Sequence, residues 1–99
     1  MKGTKKMRNY TKEKAKLYAK EMKKLYAELT KREIPCQLKI LYDGLQILCN
    51  DWDAVCHSGS YGHEDGLIEV MGLGCDEEDD VIGYLTAEDV LDLIENEGK

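Results

Sequence analysis

The spacing of hydrophobic positions changes along the chain. Tyr18, Met22, Leu25 and Leu29 recur at i, i+4, i+7 and i+11, one face of a helix. Ala15, Ala19 and Tyr26 widen that stripe, and the lysines fall largely elsewhere. Thr11 is a residue type that caps helix starts, with Lys14 where a capping box would place Glu. Pro35 disfavours helix at the residue before it. The pattern predicts a helix over about 11–33, preceded by a basic, disordered lead-in over residues 1–9.

From residue 36 the period falls to two. Cys36, Leu38, Ile40 and Tyr42 point one way and Gln37 and Lys39 the other, so a strand runs here. Asp43-Gly44 reads as the hairpin turn. Leu45, Ile47 and Cys49 form one face of a second strand, with Gln46 and Leu48 on the other, and Asn50-Asp51 is a second tight turn. Trp52, Ala54 and Cys56 line one face of a third strand, and Ile68 and Val70 the core face of a fourth. Short connections predict an antiparallel meander over about 36–72. Leu41, Leu48, Val55 and Met71 fall on the opposite face, which therefore needs a covering helix or a partner.

Val81 to Leu85 reads as a short edge strand or as a packed approach to a last helix over about 86–96. Thr86 is its N-cap, with Asp89 three residues on. Ala87, Val90, Leu91 and Ile94 give its apolar face, and Glu88, Asp89 and Asp92 suit its positive end. The fold class is α+β: a long N-terminal helix, a meander sheet of three to five strands, and a C-terminal helix. Ninety-nine residues make one domain. Nothing in the pattern fixes an oligomeric state.

Charge divides the chain in two. Residues 1–33 hold 12 of the 14 Lys and Arg against 4 of the 20 Asp and Glu, a net +8; the rest carries a net −14. Such asymmetry points to nucleic-acid contact or to an acidic interaction surface. No apolar run approaches the ~18 residues of a membrane span. The basic N-terminus has no apolar stretch behind it of the kind a signal peptide needs. The expectation is a cytoplasmic protein without membrane contact. Its cysteines, Cys36, Cys49, Cys56 and Cys75, are expected to be reduced, the first three as small buried hydrophobes.

Several chemistries can be weighed on these residues. Cys56, His57 and His63 are the densest ligand cluster, but no Cys-x2-Cys pairing accompanies them. Cys56 and His57 also point to opposite faces of a regular strand. A Cys56–His63 nucleophile pair would need the intervening loop to fold back, with no evident third group to orient it. His57, His63, Glu64 and Asp65 suit acid–base work, though a polar turn needs the same residue types. Gly72-Leu73-Gly74-Cys75-Asp76 lacks the Gly or Lys of a phosphate loop and runs into acids. No metal or cofactor is expected, and a small Cys/His metal or enzyme site is the last-ranked alternative.

Binding is the better expectation. Nine residues, Ser58 to Gly66, join the third and fourth strands where two would suffice. Within them Tyr61 sits amid glycines, where its ring gains by folding onto the sheet or by anchoring a partner. His63, Glu64 and Asp65 form a polar rim. Asp76, Glu77, Glu78, Asp79 and Asp80 would complement a basic groove, or simply solubilise the surface. Lys12, Lys16, Lys20, Lys23 and Lys24 on the first helix would neutralise phosphates. The plainer reading is that this helix docks on its own acidic body or is a solvated face.

The stretches GSYGHEDGLIEVM, from Gly59 to Met71, and DVIGYLTAEDV, from Asp80 to Val90, together resemble small uncharacterised proteins of Gram-positive phages and mobile elements. The resemblance covers about the C-terminal half and brings no site residue with it. It is to the class from which anti-CRISPR and other host-defence inhibitors come, which are typically small, often acidic, and block a nucleic-acid-binding partner. It implies a non-enzymatic interaction module that binds a host protein, such as an RNA-guided nuclease, through an acidic surface. The alternative from the residues themselves is a nucleic-acid-binding accessory protein that uses the basic helix.

Overall fold

A computed structural model describes the backbone of residues 2–73 and 81–97 and the side chains of residues 13–73 and 81–96. The first helix, α1, spans Lys2–Lys31. It therefore begins nine residues ahead of Thr11, and the expected lead-in continues it as helix. Lys, Met and Arg are good helix formers, and Gly3 is the only breaker before Thr11. The end of α1 follows the sequence. Ile34 N–H donates to the Leu29 carbonyl at 2.9 Å and Glu33 N–H to that of Thr30 at 3.0 Å. Those two bonds satisfy carbonyls the helix leaves open, with Glu33 left-handed at φ 60° where Gly is usual.

Five strands follow in the order β1 (Cys36–Leu41), β2 (Gly44–Cys49), β3 (Asp53–Cys56), β4 (Ile68–Met71) and β5 (Val81–Leu85). They pair consecutively and antiparallel, so the sheet is a five-stranded meander. The last helix, α2, spans Ala87–Glu97. Thr86 and Asp89 cap it reciprocally: Asp89 N–H donates to Thr86 Oγ1 at 3.1 Å and Thr86 N–H to Asp89 Oδ2 at 3.0 Å.

The first hairpin turn lies one residue earlier than expected. Leu41 pairs with Gly44, so Tyr42 and Asp43 form the loop. Tyr42 takes the left-handed conformation at φ 55°. Gly44 serves a different end: a Cβ there would overlap the Cys56 carbonyl of the neighbouring strand. The close approach of β2 to β3 requires the glycine, and the turn does without it.

Both helices lie on one face of the sheet. α1 packs across β1, β2 and β3, and α2 against α1 and β5. Tyr18, Met22, Leu25 and Leu29 of α1 meet Ile47, Ala54, Cys56, Ile68 and Val70 from alternate strand positions, with Ala87, Val90 and Leu91 of α2 closing the cluster. The other face carries no described helix. Val55 is buried there, Leu41 and Leu48 are half-buried and Met71 is exposed. Gln37 and Lys39 are exposed on the same face, and Gln46 Nε2 donates to Asp53 Oδ2 at 3.1 Å, so polar groups share it with the apolar ones.

Candidate interaction surface

One end of the sheet gathers the β1–β2 turn, the β3–β4 loop and the end of β5. The registers bring Leu41 and Gly44, then Cys56, Ile68 and Leu85, to this end in turn. The β3–β4 loop is built from its own side chains. Buried Ser60 accepts from the His57 N–H at 3.0 Å and donates to the His57 carbonyl at 2.9 Å through the same hydroxyl. Gly59 N–H donates to His57 Nδ1 at 2.9 Å, which leaves the proton of the neutral ring on Nε2. Ser58 N–H donates to Asp43 Oδ1 at 3.0 Å and ties the loop to the first hairpin. That N–H and the nearby Lys14 hold the Asp43 carboxyl below its ordinary range against a smaller opposing effect of burial.

The second half of the loop is a single 3-10 turn, His63–Asp65, between left-handed Gly62 and Gly66. Tyr18 of α1 fixes it. The tyrosine ring meets His63 edge-on at 5.9 Å, and its hydroxyl lies 3.3 Å from His63 Nδ1. His63 Nε2 is 3.4 Å from Glu64 Oε1. Between these anchors Tyr61 is pinned by its backbone. Its N–H donates to Glu69 Oε1 at 3.1 Å and its carbonyl accepts from Tyr84 N–H at 3.3 Å. Gly83 makes that docking possible, since a Cβ there would collide with the Cβ of Tyr61.

The backbone is fixed, yet the ring of Tyr61 faces solvent: the residue is 59% exposed. Tyr84 is 61% and Tyr42 81% exposed at the same end of the sheet. Tyr42 meets His57 edge-on at 5.3 Å. Tyr42 and Tyr84 both have positive φ, 55° and 59°, a conformation rare for bulky residues. Three tyrosines thus stand along one sheet end, and the exposed Glu64 and Asp65 form the rim. The sequence pattern singles out Tyr61 and a rim of His63, Glu64 and Asp65, of which His63 is half-buried against Tyr18. It places Tyr42 with the core side of β1 and passes over Tyr84, which an exposed position in an edge strand would have flagged.

The Cys/His alternative is not assembled. Cys56 is fully buried among Ile47, Ala54 and Ile68. Burial, with Asp43 adding, pushes its thiol up to about 12, which removes the thiolate a nucleophile needs. Cys56 has no hydrogen bond to either histidine. No three His, Cys, Asp or Glu side chains among the described residues are placed to hold a metal ion. Cys36, Cys49 and Cys56 are free thiols, Cys36 and Cys49 half-buried.

Lys16, Lys20, Lys23 and Lys24 are exposed along the side of α1 turned away from the core. Only Lys24 among them forms an ion pair among the described residues, with Glu21 at 3.3 Å. Among the described residues, none of the four forms an ion pair with a carboxylate of residues 34–99. The side chain of Lys12 and all of Asp76, Glu77, Glu78, Asp79 and Asp80 lie outside the described residues, as does Cys75. No helix among the described residues is long and apolar enough to cross a membrane. No family model, curated protein or solved structure matches the chain.

Proposed function

We propose that this protein is a non-enzymatic interaction module of phage or mobile-element type, which inhibits a host nucleic-acid-binding protein by occupying its basic surface. The observation that carries the reading is the row of Tyr42, Tyr61 and Tyr84 held to solvent on a hydrogen-bonded frame. Exposed aromatic rings whose backbone is already fixed lose little entropy on binding, and tyrosine is enriched among the residues that dominate interface energies. The acidic rim of Glu64 and Asp65 steers the row toward a positive surface, and the −14 charge of residues 34–99 acts in the same direction. The resemblance to anti-CRISPR-type proteins makes a guide-loaded RNA-guided nuclease the partner to try first. Such nucleases are assayed for binding with and without bound target DNA. Binding that target DNA blocks, and nuclease inhibition that follows it, is the expected result. Binding that survives target DNA unchanged contradicts occupation of the nucleic-acid surface.

A second reading rests on the exposed lysines of α1. Lys16, Lys20, Lys23 and Lys24 face solvent and would contact phosphates, with affinity that falls steeply with salt. A mobility shift on DNA or RNA at ~50 mM salt supports that reading, and its absence removes it.

A further inference from the structure

β1 is an edge of the sheet, and among the described residues nothing pairs with its outer side. Beside it a groove of about 390 Å³ runs between α1 and the first hairpin. Ala15, Ala19, Ile40 and Leu45 give it apolar walls, and Lys16 and Lys23 stand over it. Ile40 is 83% exposed, the most exposed large hydrophobic among the described residues. An apolar side chain on an unpaired strand is a template for another strand. Lys16 and Lys23 have no ion pair among the described residues. The carboxylate at the end of the groove, Asp43, is already held by the Ser58 N–H. Asp43 keeps its charge there, but two lysines face this one carboxylate, so the lining is net positive.

That sign selects the occupant. A second copy paired edge to edge would bring Lys39 of both β1 strands, and the lysine rows of both α1 helices, toward one another. Like charges across a strand pair are destabilising. An acidic strand meets no such conflict. We propose that the edge of β1 and this groove bind an extended acidic segment of a partner protein by strand addition. An apolar side chain of that segment packs on Ile40 and Ala19, and carboxylates two residues to either side of it reach Lys16 and Lys23. The spacing fits: seven helical residues separate the lysines by about 10.5 Å, and the two carboxylate positions are about 13 Å apart on one face of a strand. Main-chain hydrogen bonds supply affinity and the alternate side chains specificity. The groove shares Tyr42 with the tyrosine row, but the inference stands apart from the reading above, since it uses the edge of β1 and a ligand of opposite charge.

The test is an amide NMR titration of the full chain with the peptide acetyl-Thr-Glu-Thr-Ile-Thr-Glu-amide and with its counterpart carrying Lys for Glu. The acidic peptide is expected to shift the amides of Cys36–Leu41 saturably. The lysine peptide, and the variants Ile40→Thr and Lys16→Gln/Lys23→Gln, are expected to bind roughly tenfold or more weakly, with melting curves unchanged because the altered side chains are exposed. Failure of the acidic peptide to move the β1 amides overturns the proposal, as does equal binding of the lysine peptide. Tighter binding of an oligothymidylate at the same amides assigns the groove to nucleic acid instead. Movement of those amides with protein concentration alone assigns it to a second copy. Both of those results also overturn the proposal.

Discussion

Replacing Glu21 should loosen α2 from α1. Glu21 sits on α1 at 6% exposure. Its Oε1 accepts from the Ala87 N–H at 2.9 Å, and its Oε2 from Lys24 Nζ at 3.3 Å. Ala87 is the first residue of α2, where N–H groups lack intrahelical partners and the dipole favours an anion. Burial alone would push this carboxyl up. The Ala87 N–H, Lys24 and Lys20 together outweigh it and hold the carboxyl below its ordinary range. A hydrogen bond to a charged group contributes about 1.5–3 kcal/mol, and the orphaned N–H of Ala87 loses its partner with it. The exposed Lys24 pair adds only a few tenths of a kcal/mol. Glu21→Ala is therefore expected to destabilise by about 2–3 kcal/mol, and Glu21→Gln, which keeps an acceptor, by about 1 kcal/mol. In a domain of this size the Ala variant should melt roughly 10–20 °C lower. Because the folded carboxyl lies below its unfolded value, its stabilisation is complete above the unfolded pKa and disappears as pH falls through the folded one. The gap between wild type and Glu21→Gln should be widest at neutral pH and close in acid. Urea unfolding at pH 7 and at about pH 3 measures it. Equal stability of Glu21→Ala and wild type at pH 7, or a Gln gap that persists in acid, would refute the assigned role.

Other expectations follow from single contacts. Gly83→Ala should displace the Tyr61 loop from β5 and speed hydrogen exchange at the Tyr84 amide, with unchanged exchange as the contrary result. Tyr42→Asn should hold stability or raise it by about 0.5–1 kcal/mol, because Asn tolerates the left-handed turn better; a clear loss on thermal melting would show that the Tyr42–His57 contact matters more. Burial raises the Cys49 and Cys56 thiols to about 12, above their ordinary 9. The unfolded chain therefore ionises first, and stability should fall as pH rises from about 9 toward 12. Cys56→Ala should flatten that fall, as alkaline urea titrations would record.

The sequence speaks clearly where one period dominates. The spacing of Tyr18, Met22, Leu25 and Leu29 is enough to find the buried face of α1, because a helix packed on one sheet face leaves no alternative stripe. Alternation likewise places Ala54, Cys56, Ile68 and Val70 together. It fails where the answer depends on a distant neighbour. Gly44 looks like a turn residue until the Cys56 carbonyl is seen against it. Ile40 alternates with core residues, yet it lies on an edge strand beside an open groove. Glu21 sits in a polar stretch, and the amide it serves is 66 residues away in sequence. Tyr42 and Tyr84 are visible as residues, but their exposure depends on two left-handed backbone positions that no local pattern announces.

The most direct measurement is the affinity of wild type and Tyr61→Ala for purified, guide-loaded RNA-guided nucleases of Gram-positive bacteria, with thermal melts alongside. The account predicts that wild type binds, that Tyr61→Ala loses ~2 kcal/mol or more, about thirtyfold in Kd, and that the melting curve barely moves because the ring is already in solvent. Unchanged binding accompanied by a large fall in Tm would make Tyr61 a structural residue and contradict the account. Absence of binding by wild type across the panel would contradict the choice of partner.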